Sequence, residues 1–202
     1  CGGDDGAPNM DWPPTAGSSG KGGVAAAGAQ VPHPAGSSGK SGAGATRSSE
    51  AAWTRHSSNA LALELAYPSG WLLRTESDGN LRFVTPGLDD NARSQGAEVF
   101  IRALESAGQT TQQVWTRLHQ AIRESFPAIG VERPIALRIA GKDALQIAFV
   151  DPRDGAGSRG WFVIVPHGSR SLWFVLQAFP ATNWTSYEPT FRTLLGTVVL
   201  RN

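Results

Sequence analysis

The first fifty residues of this chain contain no Leu, Ile or Phe, and this absence constrains the fold more than any other feature. The sizeable apolar side chains of this stretch are only Met10, Trp12, Val24 and Val31. Twelve of the 24 glycines of the chain also lie within its first 44 residues. Such a segment cannot bury enough apolar surface to offset the cost of chain ordering, about 1–2 kcal/mol per residue. The sequence therefore predicts a flexible Gly/Ser/Pro-rich tether over residues 1–52 and one globular domain over residues 53–202.

The composition also excludes several classes of function. The formal net charge is only +1, from 18 Lys+Arg against 17 Asp+Glu. The chain therefore lacks the basic excess that displaces counterions from a nucleic acid, and we expect no nucleic-acid partner. A single cysteine excludes a disulfide framework and a cysteine-based zinc site. The longest apolar runs span about six to eight residues, which is too short for a transmembrane helix.

The first residue of the sequence is Cys1, and a Gly-rich stretch follows it directly. Three interpretations are open: a cloning boundary, an N-terminal nucleophile activated by its own amine, and the lipidated cysteine of a bacterial lipoprotein. A flexible flanking chain cannot hold Cys1 rigidly in a pocket, which disfavours the nucleophile. In a lipoprotein, signal peptidase cleavage leaves a first cysteine whose sulfur carries diacylglycerol, and a tether of this kind spaces the domain from the membrane.

The lipoprotein interpretation has direct consequences for attachment and location. We expect covalent diacylglycerol and an acyl chain on Cys1, and no other cofactor. Acyl chains contribute about 0.8 kcal/mol per buried methylene, so two or three of them make release from the membrane negligible. The predicted location is the extracytoplasmic face of a bacterial membrane, either periplasmic or at the cell surface.

Alternating apolar residues in the domain predict a series of strands. These strands fall at residues 61–67, 81–84, 98–102, 135–139, 145–150, 161–165 and 172–179. The last two are apolar on both faces, which is typical of strands in the middle of a covered sheet. The polar residues from Asp151 to Gly160 predict a long loop.

Two segments have helical spacing instead. The first places apolar residues at four-residue steps, namely Val114, Leu118, Ile122 and Phe126. Thr110 or Thr111 can cap this helix and Pro127 ends it. The second has the apolar residues Trp184, Tyr187, Phe191, Leu194 and Leu195, with Pro189 near its first turn. The order of strands, helix, strands and helix predicts an α+β domain, with a mainly antiparallel sheet flanked by helices.

Particular residues in this order resemble the PsbP-like family. They are Tyr67-Pro68-Ser69-Gly70-Trp71, a hydrophobic strand that ends at Pro86, the mid-domain helix, and Tyr187-Glu188-Pro189-Thr190-Phe191 with Leu194-Leu195. The family is named for an extrinsic protein of photosystem II, and a Ran-binding protein shares its fold. The resemblance covers roughly residues 60–200 and implies an α/β/α sandwich around an antiparallel sheet. It further implies an accessory or binding protein, frequently a lipoprotein in bacteria, and it does not imply an enzyme.

A nucleophilic catalytic set can be drawn only from loop residues. His167 precedes Ser169 and Ser171, and Asp151 or Asp154 could orient its imidazole. No G-x-S-x-G surrounds Ser169, so nothing places it on a nucleophile elbow. The other domain histidines, His56 at the end of the linker and His119 on the polar face of the helix, are interpreted as solvated side chains. We therefore predict no catalytic residue.

Acidic residues in two strand connections could offer oxygen ligands to calcium. One set is Asp151 with Asp154, and the other is Asp89 and Asp90 with Asn91. Neither set reproduces the alternating acidic ligands of a calcium-binding loop. Asp, Asn and Gly in a strand connection are typical of turns, so we predict no metal site.

Five residues are the predicted partner contacts. Trp53 and Trp184 lie near the ends of the domain, where exposed aromatic side chains can anchor an interface. Arg153 and Arg159, with Arg170 beside them, form a predicted basic cluster that could meet an acidic partner or lipid headgroups. Packing on the sheet for the tryptophans, and a solvated loop for the arginines, are the alternative interpretations.

These observations favour a membrane-anchored, non-enzymatic lipoprotein. It would dock its domain on a larger membrane assembly as an accessory or binding subunit, and the family name suggests a photosynthetic or respiratory complex. The alternative is a small-molecule or lipid carrier of the cell envelope, which requires an apolar cleft between sheet and helix. Sequence does not decide whether Trp115, Phe126 and Phe191 line such a cleft or fill the core.

Overall fold

The computed structural model describes residues 52–88, 95–153 and 157–201. The elements in chain order are β1 (Trp53–Ser58), β2 (Leu63–Pro68), β3 (Leu72–Thr75), β4 (Leu81–Val84), β5 (Gly96–Glu105), α1 (Thr111–Ser125), β6 (Gly130–Val131), β7 (Ile135–Ile139), β8 (Lys142–Asp151), β9 (Ser158–His167), β10 (Arg170–Phe179), α2 (Trp184–Gly196) and β11 (Val199–Leu200). A short 3-10 helix, Ala181–Asn183, leads into α2.

Eight of the strands form one antiparallel sheet. Its order is β3-β4-β5-β10-β9-β8-β6, and β7 also pairs with β8. The long hairpin of β9 and β10 lies at its centre, with β5 antiparallel to β10 on one side and β8 antiparallel to β9 on the other. A separate three-stranded sheet has the order β1-β2-β11. The predicted antiparallel sheet is confirmed.

The large sheet is covered on both faces, so the domain has two cores. On one face α1 packs Val114, Trp115, Leu118 and Ile122 against Phe149, Phe162 and Trp173. On the other face α2 and the small sheet pack Phe191, Leu194, Leu63 and Leu65 against Val163, Phe174 and Leu176. The strands at 161–165 and 172–179 are buried on both sides, as their sequences predict. The domain is thus an α/β/α sandwich in which the small sheet extends one helical layer.

Helix α1 forms where its capping residues and apolar spacing predict it. Thr110 is the N-cap and makes a capping box with Gln113: the Gln113 amide donates to Thr110 Oγ1 at 3.2 Å, and the Thr110 amide donates to Gln113 Oε1 at 2.8 Å. The helix ends at Ser125, two residues before Pro127. Its predicted apolar stripe is buried, except that Phe126 at the C-cap is only half-buried.

Three local predictions are wrong. His56 is not in the linker, because β1 already begins at Trp53 and pairs with β2. The connection between β8 and β9 is shorter than residues 151–160, because Asp151 pairs with Ser158 and both are buried polar residues at strand ends. Pro189 lies inside α2 beyond its first turn, because the helix begins at Trp184.

Gly160 shows how tightly the central strands pack. It lies opposite Phe149 in the β8–β9 ladder. A Cβ atom at this position would overlap the backbone oxygen of Leu176 and approach the Phe149 ring to 2.7 Å. The ring occupies the space left by the missing side chain and stacks on Phe162 with a centroid distance of 4.2 Å. Only glycine fits there.

Candidate functional site

The ladder of the large sheet gives the domain two ends that carry different side chains. Strand β1 begins at Trp53, which pairs with Pro68 at the end of β2. The turn at Pro68–Trp71 then leads into Leu72, which lies opposite Val84 in the large sheet. This level of the sheet, which includes the start of β9 and the end of β10, is called the Trp53 end. The β7–β8 and β9–β10 turns lie at the opposite end, which is called the His167 end.

Trp53 is exposed at the first residue of β1. Its exposed fraction is 36%, which is large for a tryptophan in a strand. The backbone beneath it is fixed, since the Ser69 amide donates to the Ala52 oxygen at 2.8 Å. The hydroxyls of Thr54 and Ser69 are also hydrogen-bonded at 2.8 Å. The structure therefore presents this aromatic side chain to solvent on a rigid strand.

Trp184 is not exposed, and its prediction as a surface residue is wrong. Only 5% of it is exposed. Its ring lies edge-on to Trp161 at 4.8 Å and beside Phe191 at 5.6 Å. The helical spacing from Trp184 to Phe191 and Leu195 places all three on the buried stripe of α2. Its burial makes Trp184 a core residue.

The three arginines do not form one basic cluster, contrary to the sequence prediction. Arg159 lies near the start of β9, at the Trp53 end, whereas Arg170 pairs with His167 at the other end. Eight residues along β9 separate these levels, which is about 26 Å at about 3.3 Å per residue. Arg170 therefore does not lie beside Arg159 in a single cluster.

Arg153 is engaged within the domain. Its Nε donates to Asp151 Oδ1 at 2.8 Å and to Oδ2 at 3.0 Å. Its guanidinium also lies 4.5 Å from the centroid of the Phe126 ring, in cation–π geometry. Arg159, in contrast, is exposed. At the Trp53 end, Trp53 and Arg159 are thus more accessible than Arg153.

The histidine, serine and aspartate residues do not assemble into a catalytic set. Asp151 pairs with Ser158 at the Trp53 end, and His167 is at the far end of the same strand, about 30 Å away. Ser171 is buried and its hydroxyl donates to Ser106 Oγ at 3.0 Å. Asp154, the other candidate, lies outside the described residues. No reacting group could therefore contact both Asp151 and His167.

Two histidines have lowered pKa values. Burial lowers the pKa of His56, which packs edge-on against Phe83. Burial also lowers the pKa of His167, and the positive charge of Arg170 lowers it further. His119 lies flat on Trp115, with the ring centroids 5.0 Å apart, so the helical histidine stacks on an aromatic side chain.

Among residues 52–88, 95–153 and 157–201, no group of three or more His, Cys, Asp or Glu side chains could hold a metal ion. Asp151 binds Arg153 instead. Asp89, Asp90 and Asn91 are outside the described residues, as is Cys1. In the same described ranges, no helix is both long and apolar enough to cross a membrane.

Two clefts bear on the carrier alternative. One, of about 180 Å³, is lined by Arg55, Glu64, Leu65, Ala66, Thr197 and Val199. This volume is below the roughly 300–1,000 Å³ of typical ligand pockets. The other, of about 450 Å³, is an open groove on the polar face of α1, lined by Thr116, His119, Gln120, Arg123 and Glu124. Trp115 and Phe191 fill the two cores rather than line either cleft.

Sequence reasoning missed a buried ion pair between β4 and β5. Arg82 Nη2 lies 2.9 Å from Glu98 Oε2, and the side chains are only 7% and 1% exposed. Buried Gln177 lies directly opposite Glu98 in the β5–β10 ladder. Arg82 alternates with Leu81 and Phe83, a pattern that ordinarily indicates a solvent-facing position. The pattern misleads here because the sheet is covered on both faces.

Comparison with known proteins identifies the fold but not a relative in sequence. No family model and no curated protein sequence matches this chain. The solution structure of cyanobacterial PsbP from Synechocystis sp. PCC 6803 is similar with a TM-score of 0.52 and 13% identity, over 80% of this chain and 98% of that one.

Two further solved structures share this similarity. A Mycobacterium tuberculosis protein, LpqN, described as involved in cell envelope biogenesis, has a TM-score of 0.51 and 14% identity, over 69% of this chain and 83% of that one. A Pseudomonas aeruginosa protein of unknown function, PA94, described as a putative regulator, has a TM-score of 0.50 and 17% identity, over 74% of this chain and 98% of that one. Together with the two-core sandwich, these similarities establish that the chain has the PsbP-like fold.

Proposed function

We propose that this protein is a non-enzymatic lipoprotein that is anchored through Cys1 and docks on a membrane protein complex as an accessory or binding subunit. The proposed location is the extracytoplasmic face of a bacterial membrane. The proposed partner is a photosynthetic or respiratory complex, which the name of the PsbP-like family suggests.

The observation that carries the docking proposal is Trp53. A tryptophan with an exposed fraction of 36% leaves a large apolar area in water, and tryptophan is among the residues enriched at the energetic centres of interfaces. Because Trp53 lies on a hydrogen-bonded strand, its ordering upon binding costs little. Exposed Arg159, at the same end of the sheet, can add a charged contact at the rim.

The packing of the domain supports a surface function over an internal one. Both faces of the large sheet are filled with aromatic and aliphatic side chains, and Phe162, Phe174 and Phe191 are fully buried. A carrier needs an apolar space between these layers, and the cleft at the small sheet is too small for an ordinary lipid. Binding is therefore proposed to use the outside of the sandwich.

The similar structures support the same class of function. One is described as the PsbP of a cyanobacterium and another as a protein involved in cell envelope biogenesis. Their sequences are too distant to transfer a partner. The proposal takes from them only an accessory role in the envelope.

The test uses native membranes that are solubilised gently and separated by size, with this chain followed by mass spectrometry. We expect it to migrate with a complex much larger than its own 21.3 kDa, and its first peptide to carry diacylglycerol and an acyl chain. A Cys1→Ser variant should carry no lipid and should be extracted from the membranes by salt, because only docking would then retain it. An unmodified Cys1 would refute the anchor, and migration near its own mass would refute the docking role. Lipid recovered with such a monomer would favour a carrier.

A further inference from the structure

Three residues that can carry positive charge lie side by side at the His167 end. His167 and Arg170 are directly opposed in the β9–β10 ladder. The β8–β9 ladder ends at the pair of Leu145 and Ile164, and its register, extended three residues beyond the ladder, brings Lys142 to the level of His167. The charge of Lys142 also lowers the pKa of His167, so the two side chains lie near each other. Directly opposed residues have Cβ atoms about 4.5–5.5 Å apart and point to the same face of the sheet. Lys142, His167 and Arg170 thus form a row across three strands, which is called the cationic row.

In the described part of the chain, residues 52–88, 95–153 and 157–201, no carboxylate forms an ion pair within 4.0 Å with Lys142 or Arg170 of the cationic row. Glu105 lies opposite Arg170 in β5 but is exposed and forms no such pair. The Arg170 guanidinium donates a hydrogen bond to the Ala60 oxygen at 3.4 Å. Like charges in opposed positions repel, so this arrangement favours a bound anion.

The β1–β2 turn forms one wall beside the cationic row. The backbone of Ala62 in this turn lies close enough to the His167 imidazole to raise its pKa. Arg201 braces this turn, because its Nη2 donates to the Ser58 oxygen at 2.7 Å and to Asn59 Oδ1 at 3.0 Å. The other side is open to solvent, since Lys142 is exposed and His167 and Arg170 are half-buried. A small anion can therefore reach the row without movement of the backbone.

We propose that the cationic row binds a phosphate group. The guanidinium of Arg170 offers paired N–H donors to two phosphate oxygens, the ammonium of Lys142 supplies a compact charge, and protonated His167 adds a further donor. The proposal is independent of membrane anchoring. A soluble phosphate ester and a phospholipid headgroup present the same chemistry, and the experiment below distinguishes these two sources.

Phosphate binding should be linked to the protonation of His167. Burial, Arg170 and Lys142 lower the pKa of His167, while the nearby backbone of Ala62 raises it. A phosphate dianion between the cations opposes their field and favours the imidazolium, so the pKa rises on binding. By reciprocity, a phosphate anion of given charge should bind more tightly to the protein with protonated His167 than to the protein with neutral His167. Glu105, opposite Arg170, and Arg201, on the β1–β2 turn, are the other charged groups near the row.

The test is an NMR titration of the full chain labelled in its histidine side chains. Inorganic phosphate is added against sodium chloride at equal ionic strength. We expect the His167 resonances to move saturably with phosphate, and its pKa to rise by about 1 pH unit at saturation. Lys142→Ala and Arg170→Ala should each weaken the response at least tenfold. Arg133→Ala, which removes one exposed arginine elsewhere, is the matched control and should leave it unchanged.

Vesicles identify the source of the phosphate. Phosphatidylcholine vesicles with about one-third phosphatidylglycerol should broaden the His167 resonances if a headgroup is the ligand, and neutral vesicles should not. Equal shifts with chloride and phosphate, or an equal response of His119, would overturn the proposal because they indicate screening or non-specific binding. No response to either phosphate or anionic vesicles would also overturn it. If Arg170→Ala loses its dispersed spectrum, the exposed Lys142→Ala variant decides the outcome.

Discussion

The buried ion pair of Arg82 and Glu98 gives a quantitative test of how the sandwich is packed. Glu98→Gln removes the charge of one partner and leaves the Arg82 guanidinium buried. Because the two side chains are only 7% and 1% exposed, solvent cannot compensate the lost charge. Breaking a buried pair by removing one partner costs about 3–5 kcal/mol. We expect the free energy of unfolding to fall by that amount.

Urea denaturation followed by tryptophan fluorescence measures this loss. With an m-value of about 2 kcal/mol/M, the midpoint should shift down by about 1.5–2.5 M urea. The double variant Arg82→Met with Glu98→Leu should recover most of the loss, because a well-packed apolar pair replaces a buried ion pair at little cost. Asp143→Asn is the matched control. Its partner Arg138 lies 3.6 Å away and both side chains are mostly exposed, so no measurable change is expected.

A small effect of Glu98→Gln would refute this reasoning. A midpoint within about 0.5 M of the parent protein, at an m-value of about 2 kcal/mol/M, corresponds to about 1 kcal/mol or less. Such a value is typical of a solvated pair. It would mean that water reaches this part of the β4–β5 ladder, and that the face of the sheet beneath α1 is less closed than the structure indicates.

Three further predictions concern single elements of the domain. Gly160→Ala should destabilise the protein by about 1–3 kcal/mol or more in urea denaturation, because the added Cβ overlaps Leu176 and Phe149. Gly70→Ala is the control and should be close to neutral, because no atom lies within 4 Å of its added Cβ. Equal effects of the two substitutions would contradict the packing argument. Thr110→Ala should cost about 1 kcal/mol through loss of the α1 capping box, and thermal denaturation without a change in melting temperature would count against it. His56 and His167 have pKa values below the ordinary 6.5, so the unfolded chain binds more protons, and the free energy of unfolding should decrease as the pH falls through 6.5. Replacing both histidines by Gln should flatten this decrease in urea denaturation, and an unchanged slope would exclude them as its source.

Much of the fold could be predicted from the sequence because local periodicity encodes it. The four-residue spacing of Val114, Leu118 and Ile122 reports one buried stripe, and the strands at 161–165 and 172–179 are apolar on both sides. The apolar residues of these two strands alone predict that other elements pack on both faces of the central hairpin. The helical spacing of Trp184, Phe191 and Leu195 also indicated that Trp184 is buried, but its position near the end of the domain suggested that it is exposed.

The arrangement of the candidate sites could not be predicted, because it depends on pairing between distant residues. Arg153, Arg159 and Arg170 are close in sequence, yet the full length of β9 separates the last from the others. The pairing of Val199 with Glu64 closes the small sheet and leaves no local signal in either segment. The cationic row likewise becomes visible only when the register of three strands is known.

The most direct test of the proposed docking role compares two exposed apolar residues in native membranes. Trp53→Ala removes the aromatic side chain at the Trp53 end, and Ile135→Ala removes a more exposed apolar side chain from β7, on the far edge of the sheet. Truncation of an interface hot spot costs about 2 kcal/mol or more, a thirtyfold loss of affinity. We predict that Trp53→Ala releases the protein from its large complex to migrate near 21.3 kDa, while Ile135→Ala comigrates as the parent does. If the Trp53→Ala variant stays fully bound to the large complex, as the Ile135→Ala variant is expected to, the proposed docking role of Trp53 is wrong.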